Sequence, residues 1–166
     1  MESPLYREAR ESDLIAICEL GQVVNAIHHA AHPGIFAPQS SAERDAEHWR
    51  QSCFGLNSTA FVAEFGGAVV GFVNAAVVNE NHTLLQPVRF VRVGSVSVAE
   101  SCRGRGIGRE LMSMVERWAA AQGATDIRLN VWAFNESARR LYQEIGYEVR
   151  SLFMGKAVGS HESEGR

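Results

Sequence analysis

The chain has 166 residues, of which 46% are hydrophobic and 21% charged, and its formal net charge at pH 7 is −3. This length and balance are typical of a single globular domain. The charge gives no general attraction to nucleic acid or to an anionic membrane, so neither is expected as a partner.

The compartment is inferred from the ends and the cysteines. The N-terminus lacks the basic and then apolar pattern of a signal peptide, and the longest apolar stretch, Val69–Val78, is far shorter than a membrane span. Cys18, Cys53 and Cys102 are widely separated and odd in number, which argues against a disulfide framework and a structural zinc site. We therefore expect a cytoplasmic protein.

The N-terminal third predicts a strand and two helices. A short strand is expected near Leu5–Glu8, and Ser12 is placed to cap a helix with apolar residues at helical spacing. That helix is expected to continue to about Ala31 and to break at residues 32–34, His-Pro-Gly. A second helix is predicted over about Ser41–Cys53.

The middle of the chain predicts strands. Thr59–Phe65 and Ala68–Val78 flank Gly66-Gly67, a dipeptide typical of a two-residue hairpin turn. Val88–Val98 is long enough for a third strand, and Gly94 interrupts its side-chain alternation. A bulge or splay is expected at Gly94.

The last third alternates between helix and strand. A helix that begins near Ile107 is stopped by Gly123, and Asp126–Trp132 is predicted to be a strand. Asn135 is expected to cap a further helix, and Tyr147–Met154 to form a final strand. The order predicts a mixed sheet covered by helices.

The turn between the Val88–Val98 strand and the next helix has the composition of an anion site. Helix-start N–H groups lack partners within the helix, and the helix dipole adds partial positive charge there. Glycines let the backbone approach a ligand, and arginines add charge. The turn combines both residue types: Arg103, Gly104, Arg105, Gly106, Gly108 and Arg109. We infer a phosphate or pyrophosphate site.

Three other interpretations of this turn fit the sequence less well. A dinucleotide fold would place its glycines after the first strand and an acidic residue about 20 positions later, and here the glycines come late. A kinase-type P-loop needs Gly-Lys-Ser/Thr, which is absent from the sequence. A tight connection without a ligand is disfavoured by three glycines and three arginines so close together.

Two blocks of the sequence carry a family resemblance. Residues 103–108, Arg-Gly-Arg-Gly-Ile-Gly, fit the pattern Arg/Gln-x-x-Gly-x-Gly/Ala. Within Asn130–Glu148, the pattern of Asn, Ala, Leu-Tyr and Gly-aromatic is matched by Asn135, Ala138, Leu141, Tyr142, Gly146 and Tyr147. From about Phe61 to Phe153 the chain resembles the GCN5-related N-acetyltransferase (GNAT) superfamily.

The resemblance implies an α/β (α+β) fold with a mixed, mostly antiparallel central sheet, splayed strands and helices on both faces. Length favours one domain over residues 1–154, the Gly, Ser and Glu of residues 155–166 indicate a flexible tail, and the resemblance leaves a homodimer open. It also implies acetyl-CoA as co-substrate and no metal. The residues implied to contact the coenzyme are Val96, Ser97, Val98, Arg103, Gly104, Arg105, Gly106, Ile107, Gly108, Arg109, Asn135 and Tyr142.

Two of these residues have simpler interpretations. Asn135 is also an ordinary helix N-cap. Tyr142 lies on an apolar helix stripe and would serve equally as core. The resemblance instead makes Tyr142 the catalytic residue that faces the thioester sulfur, where a hydrogen bond to developing charge is the safer role.

The acceptor side is less well specified. The resemblance implies that Ile27, His28, His32 and Phe36 touch the substrate. His28 and His32 are also at metal-ligand spacing, but no third ligand is evident nearby, so no metal is expected. Glu64, Glu80, His82 and Ser97 lie near the implied cleft without a motif to mark any of them as a base, and Arg89 and Arg92 are candidates to attract a carboxylate.

The predicted function is transfer of an acetyl group from acetyl-CoA to a primary amine of a small molecule or peptide, by direct attack. The absence of an identifiable base keeps a second hypothesis open, a non-catalytic acyl-CoA sensor or interaction module. A third is an acyltransferase that uses another acyl-CoA.

Overall fold

The computed structural model describes residues 3–158. Of the predicted tail, residues 155–158 are irregular and exposed, and the rest lies outside the described residues. The strands are β1 Leu5–Glu8, β2 Ser58–Phe65, β3 Ala68–Glu80, β4 Val88–Val98 and β5 Asp126–Arg128. The α-helices are α1 Leu14–Ala31, α2 Ala42–Phe54, α3 Ile107–Ala121 and α4 Glu136–Glu144.

The five strands form one mixed sheet in the order β1-β2-β3-β4-β5. The first three pairings are antiparallel, and β4 pairs with β5 in parallel. Gly66 and Gly67 join β2 to β3 with φ of 59° and 77°. Two successive positive φ angles are the requirement of a tight hairpin turn of type I′, so the predicted hairpin is confirmed.

Helices cover both faces of the sheet, as predicted. On one face, α1 and α2 bury Ile17, Cys18 and Trp49 against the sheet, where Phe72 is buried. Gly21 allows this packing, because a Cβ there would lie 2.3 Å from the Trp49 ring. On the other face, α3 packs a fully buried row on β3 and β4 that includes Leu111, Met112 and Val115.

The first helix is unusually apolar. An 18-residue window within the 21-residue segment Glu11–Ala31 has a mean hydropathy of 1.2, so the length and composition of this segment alone would allow it to cross a membrane. In the fold, its Leu14, Ile17 and Cys18 face is buried against the sheet. This burial accounts for the composition of the helix, because a helix facing a core needs an apolar stripe.

Asp13, and not the predicted Ser12, organises the start of α1. A 3-10 turn, Glu11–Asp13, precedes the helix, and the Asp13 carboxylate accepts the Arg10 backbone N–H at 2.7 Å. The Arg7 guanidinium donates to both Asp13 oxygens at 2.7 and 2.9 Å and to Glu64 at 3.0 Å. These bonds, above all those from Arg7, lower the pKa of Asp13.

We expect Asp13→Ala to reduce the free energy of unfolding by about 3 kcal/mol at pH 7, because it leaves Arg7 short of a partner. The folded-state pKa of Asp13 is below its unfolded value, so this stability is present above about pH 4 and is lost as the pH falls through the folded pKa. Urea unfolding at pH 7 and pH 2 measures both. Glu47→Ala, which removes an exposed pair with Arg50, is the control and should leave the midpoint unchanged. An Asp13 variant as stable as the parent at pH 7 would contradict the assignment.

The C-terminal part differs from the prediction. The strand predicted over Asp126–Trp132 ends at Arg128, and the strand predicted over Tyr147–Met154 does not form. Arg150 instead donates to both Asp126 oxygens at 2.7 and 2.8 Å. The segment is therefore attached to β5 by side-chain bonds, without a main-chain ladder. Alternating apolar residues predict a strand only if a partner edge is available, and the sequence pattern does not contain that information.

Candidate active site

The cleft begins where β4 separates from β5. The two strands pair only over Phe90–Arg92, so residues 94–98 of β4 have no β5 partner. At Gly94, two β4 residues lie opposite Asn74 of β3, which confirms the predicted bulge. The Asn74 side chain accepts the Ser95 backbone N–H at 2.8 Å, and a Cβ on Gly94 would lie 2.7 Å from it. Sequence reasoning missed Asn74, because its partner is 21 residues away.

The free edge of β4 exposes main-chain groups of Val96 and Val98. Ala99 donates to Val70 of the β3 side at 2.8 Å. Because main-chain groups alternate between the two edges of an antiparallel strand, Ser97 faces β3 while Val96 and Val98 face the cleft. The Ser97 side chain is buried and donates to Leu20 at 3.1 Å, so it anchors β4 to α1. Among the predicted coenzyme contacts on β4, Ser97 therefore holds the strand in place and presents neither its main-chain groups nor its side chain to the cleft.

The glycine-rich turn carries a row of unpaired donors. Gly104 and Gly106 have φ of 74° and 78°, in the left-handed region that favours glycine. The first α3 bond runs from the Glu110 N–H to the Gly106 carbonyl at 3.1 Å. Among residues 3–158, no acceptor is bonded to the six successive N–H groups of residues 104–109. Unpaired N–H groups with the helix dipole behind them are the arrangement that an anion prefers.

The three arginines of the turn differ in their contacts. The Arg103 Nε donates to the Val98 carbonyl at 3.1 Å, so its side chain lies along the end of β4. The Arg105 guanidinium lies over the Phe65 ring at 5.7 Å. Arg109 pairs with Glu144 of α4 at 2.7 Å. The carboxylate offsets the charge of Arg109, so Arg103 and Arg105 supply most of the side-chain charge at the turn.

The start of α4 lies beside the turn. Asn135 caps α4 by accepting the Ala138 N–H at 3.2 Å, as predicted. A Cβ on Gly108 would lie 3.2 Å from a Leu141 methyl group, so the glycine lets α3 and α4 approach closely. The two motif blocks of the sequence therefore meet at this contact.

Tyr142 is a partly buried phenol of α4. It packs on the α3 face of the core, 5.9 Å from the Tyr147 ring. Burial raises the pKa of Tyr142 to about 12. The side chain therefore keeps its proton across the physiological range and can act there only as a hydrogen-bond donor or neutral acceptor.

A second feature is the aromatic–histidine cluster, formed by His28, His32, Phe36, Trp132 and Phe134. The ring centroids of His28 lie 4.8 Å from Phe36 and 5.4 Å from Phe134, and that of His32 lies 5.2 Å from Trp132. All five rings are half-buried. Beside them is an open cavity of about 440 Å³, lined by Ile27, Phe134, Asn135, Glu136, Ser137 and Arg140.

The structure thus brings together all four residues predicted for the acceptor, with Ile27 in the cavity wall and the other three in the cluster. Trp132 and Phe134 were missed. The signal for them was present, since both precede Asn135 in the motif block and alternate with Ala133. Their convergence with α1 depends on tertiary packing, which the spacing does not reveal.

Several other candidates are occupied elsewhere. Glu64 is paired with Arg7, and Glu80 with Arg128. His82 accepts the Leu84 N–H in an exposed loop. Arg89 donates to Gln122 and Asn79, which ties β4 to neighbouring elements. Within residues 3–158, no hydrogen bond or ring contact joins these four side chains to the aromatic–histidine cluster.

A splayed β4–β5 pair, followed by a glycine-rich turn at the start of a helix, is the arrangement that the sequence resemblance implied. A model of the Acetyltransferase (GNAT) family matches residues 23–147. The chain belongs to the GNAT family, as the two motif blocks indicated.

Individual proteins agree with this assignment. Rat N-acetyltransferase family 8 member 2 is 35% identical over 98 residues, which are 59% of this chain and 42% of that protein. The chain thus spans about two fifths of the length of its rat relatives.

Solved structures show the same fold. A mutant of a Bacillus halodurans protein superposes with a TM-score of 0.84 at 23% identity, over 93% of this chain and 99% of that chain. The aminoglycoside N-acetyltransferase AAC(6')-Iy in complex with CoA superposes with a TM-score of 0.66 at 19% identity, over 93% of this chain and 100% of that chain.

Proposed function

We propose that the protein is an N-acetyltransferase that transfers an acetyl group from acetyl-CoA to a primary amine by direct attack. The observation that carries the proposal is the row of unpaired N–H groups at residues 104–109, continuous with the free edge of β4. Membership of the GNAT family supports it, as does the likeness in fold to a CoA complex of a family relative.

The residues present fit the chemistry of coenzyme A. A diphosphate needs several hydrogen-bond donors and positive charge, which the turn and Arg103 and Arg105 provide. The pantetheine arm carries amides, which need main-chain donors and acceptors at the edge of a strand. Val96 presents both main-chain groups toward the cleft and Val98 presents its N–H, since the Val98 carbonyl accepts Arg103. Asn135 and Tyr142 on α4 would then lie beside the arm.

Acetyl-CoA supplies an acyl group that is already activated as a thioester, so the chain mainly orients the reactants and stabilises charge. Tyr142 is proposed to donate a hydrogen bond to the sulfur as charge develops there. Full proton transfer is unfavourable, because a thiol has a pKa of about 8.5 and that of Tyr142 is about 12. The gap of about 3.5 units corresponds to about 5 kcal/mol.

Thiol release from acetyl-CoA in the presence of an amine panel tests the proposal. We expect release that depends on the acceptor, with a gain of one acetyl group on the amine by mass spectrometry. Propionyl-CoA in the same assay tests the use of another acyl group. Binding of CoA by calorimetry without turnover of any amine would instead favour the sensor hypothesis. Failure to bind CoA would overturn the site itself.

A further inference from the structure

We propose that the aromatic–histidine cluster is the acceptor site, that it takes a single primary amine attached to a flat aromatic group, and that Nε2 of His28 removes the proton of that amine. This inference rests on the proposed function, which it deepens by naming the acceptor class and the base.

The class follows first from the shape and chemistry of the cluster. Phe36, Trp132 and Phe134 have half-buried rings in tilted and edge-to-face contact with the two histidines, and Phe134 also lines the cavity. The Phe36 and Trp132 centroids are 5.0 Å apart at 70°. Half-buried rings at such angles offer their faces and edges to a further ring. Aromatic pairs prefer edge-to-face or offset contacts of this kind over a parallel sandwich.

The class follows also from charge. Of the described residues that line the cavity, one is a carboxylate, Glu136, and one is a guanidinium, Arg140. Together they carry no net charge. A polycationic amino sugar needs several carboxylates to offset the loss of water around its ammonium groups. An acceptor with one ammonium and an apolar ring needs only what the cavity and the cluster provide.

The base follows from the hydrogen bond of His28. Its Nδ1 lies 2.7 Å from the Val24 carbonyl, which can only accept, so Nδ1 carries a hydrogen. In the neutral ring the lone pair is therefore on Nε2. Around the ring lie Phe36 from the loop after α1, and Trp132 and Phe134 from the loop before α4. His32, at the end of α1, packs on the same Trp132 and Phe134 rings. The charged groups of the adjoining cavity wall are Glu136 and Arg140.

The proposed step is balanced as follows. The ammonium of the acceptor transfers one proton to Nε2 of His28, and the free amine attacks the thioester carbonyl, forming the C–N bond. The intermediate collapses by breaking the C–S bond, the electron pair leaves on sulfur, and the nitrogen loses its second proton to become the amide. The thiolate takes up one of these protons and the other passes to solvent.

The acceptor class is tested with 2-phenylethylamine and neamine, a polycationic amino sugar. We expect 2-phenylethylamine to have at least a tenfold higher kcat/KM. Trp132→Leu should raise its KM about tenfold and leave the Kd for CoA unchanged. Saturation-transfer NMR of 2-phenylethylamine with the CoA-bound protein gives a second readout that needs no turnover, and Trp132→Leu should abolish the signal.

The base is tested with His28→Gln, whose amide can still donate to Val24. We expect kcat/KM to fall about 100-fold at pH 7. In the variant, kcat/KM should rise tenfold per pH unit up to the pKa of the amine, because without His28 the amine must lose its proton to solvent before it binds productively. The matched control is His29→Gln. His29 also bonds a carbonyl through Nδ1, that of Phe36 at 2.7 Å, but has no ring contact with the cluster, so the variant should keep the parent pH profile.

These experiments distinguish failure of the proposed acetyltransferase function from failure of the acceptor class or of the role of His28. Absence of turnover with every amine, while 2-phenylethylamine still binds through Trp132, would contradict the proposed function and retain the acceptor site. Equal or better use of neamine, or binding insensitive to Trp132→Leu, would overturn the acceptor class. An unchanged pH profile in His28→Gln would overturn the role of His28.

Discussion

Replacement of Gly106 by glutamate should raise the Kd for CoA about 100-fold in calorimetry. Gly106 has a φ of 78°, which a side chain adopts only with strain, and its N–H belongs to the unpaired row. No atom lies within 4 Å of a Cβ at this position, so the side chain would extend without a clash and place a negative charge at the anion site. Loss of two charge-assisted hydrogen bonds, each worth about 1.5 kcal/mol, corresponds to this factor.

Gly123 provides a matched control for this variant. It lies beyond the other end of α3 with a φ of 69°, and a Cβ there also meets nothing within 4 Å. Gly123→Glu should therefore reduce the free energy of unfolding about as much as Gly106→Glu. It should leave CoA affinity unchanged. Equal affinity losses in the two variants would show that Gly106 acts through stability alone, and an unchanged Kd in Gly106→Glu would remove the anion site.

Tyr142→Phe should lower kcat between about 10-fold and 100-fold while the Kd for CoA stays within about twofold. The hydroxyl is expected to act only as charge develops on sulfur, so its loss affects the transition state more than the bound ground state. Because the pKa of Tyr142 is about 12, the parent should show no loss of kcat from ionisation of this group below about pH 11. Steady-state kinetics over pH 6–10 measures both effects.

The neighbouring Tyr147 is the control for Tyr142. Its hydroxyl is buried with no hydrogen-bond partner among the described residues, and burial raises its pKa. Tyr147→Phe, which removes this unpaired buried hydroxyl, should leave the free energy of unfolding unchanged or raise it by about 1 kcal/mol, and kcat should not change. A Tyr142→Phe enzyme with the parent kcat would return Tyr142 to a purely structural role in the core.

Features encoded by a few adjacent residues were predictable from the sequence. Gly66-Gly67 permits positive φ at both positions, so the hairpin between β2 and β3 followed from it. The end of α1 at Ala31 followed from His-Pro-Gly, and the cap Asn135 followed from residue type. The row of unpaired N–H groups at residues 104–109 is of the same kind, because its donors are consecutive in the chain, and its role as an anion site stays a prediction.

Features that join distant residues were not predictable in this way. Asn74 reaches Ser95 across the bulge, and Glu144 pairs with Arg109 from another helix. Trp132 meets Phe36 only after α1 and β5 are both in place. A single sequence specifies periodicity and turns, but which side chains meet is decided by packing over the whole fold. For the same reason the Tyr147–Met154 strand was predicted and is not formed.

The Asn74 side chain at the Gly94 bulge bears on the rate at which the cleft binds a ligand. Because the amide of Asn74 occupies the bulge at Gly94, the separation of β4 from β5 is built by the chain itself. No main-chain pairing between β4 and β5 has to break before an elongated ligand can bind along the free edge of β4. Capture from solution should then proceed at a rate governed by diffusion and charge, as for other pre-shaped clefts, and affinity differences among coenzyme analogues should arise mainly in how fast each one departs.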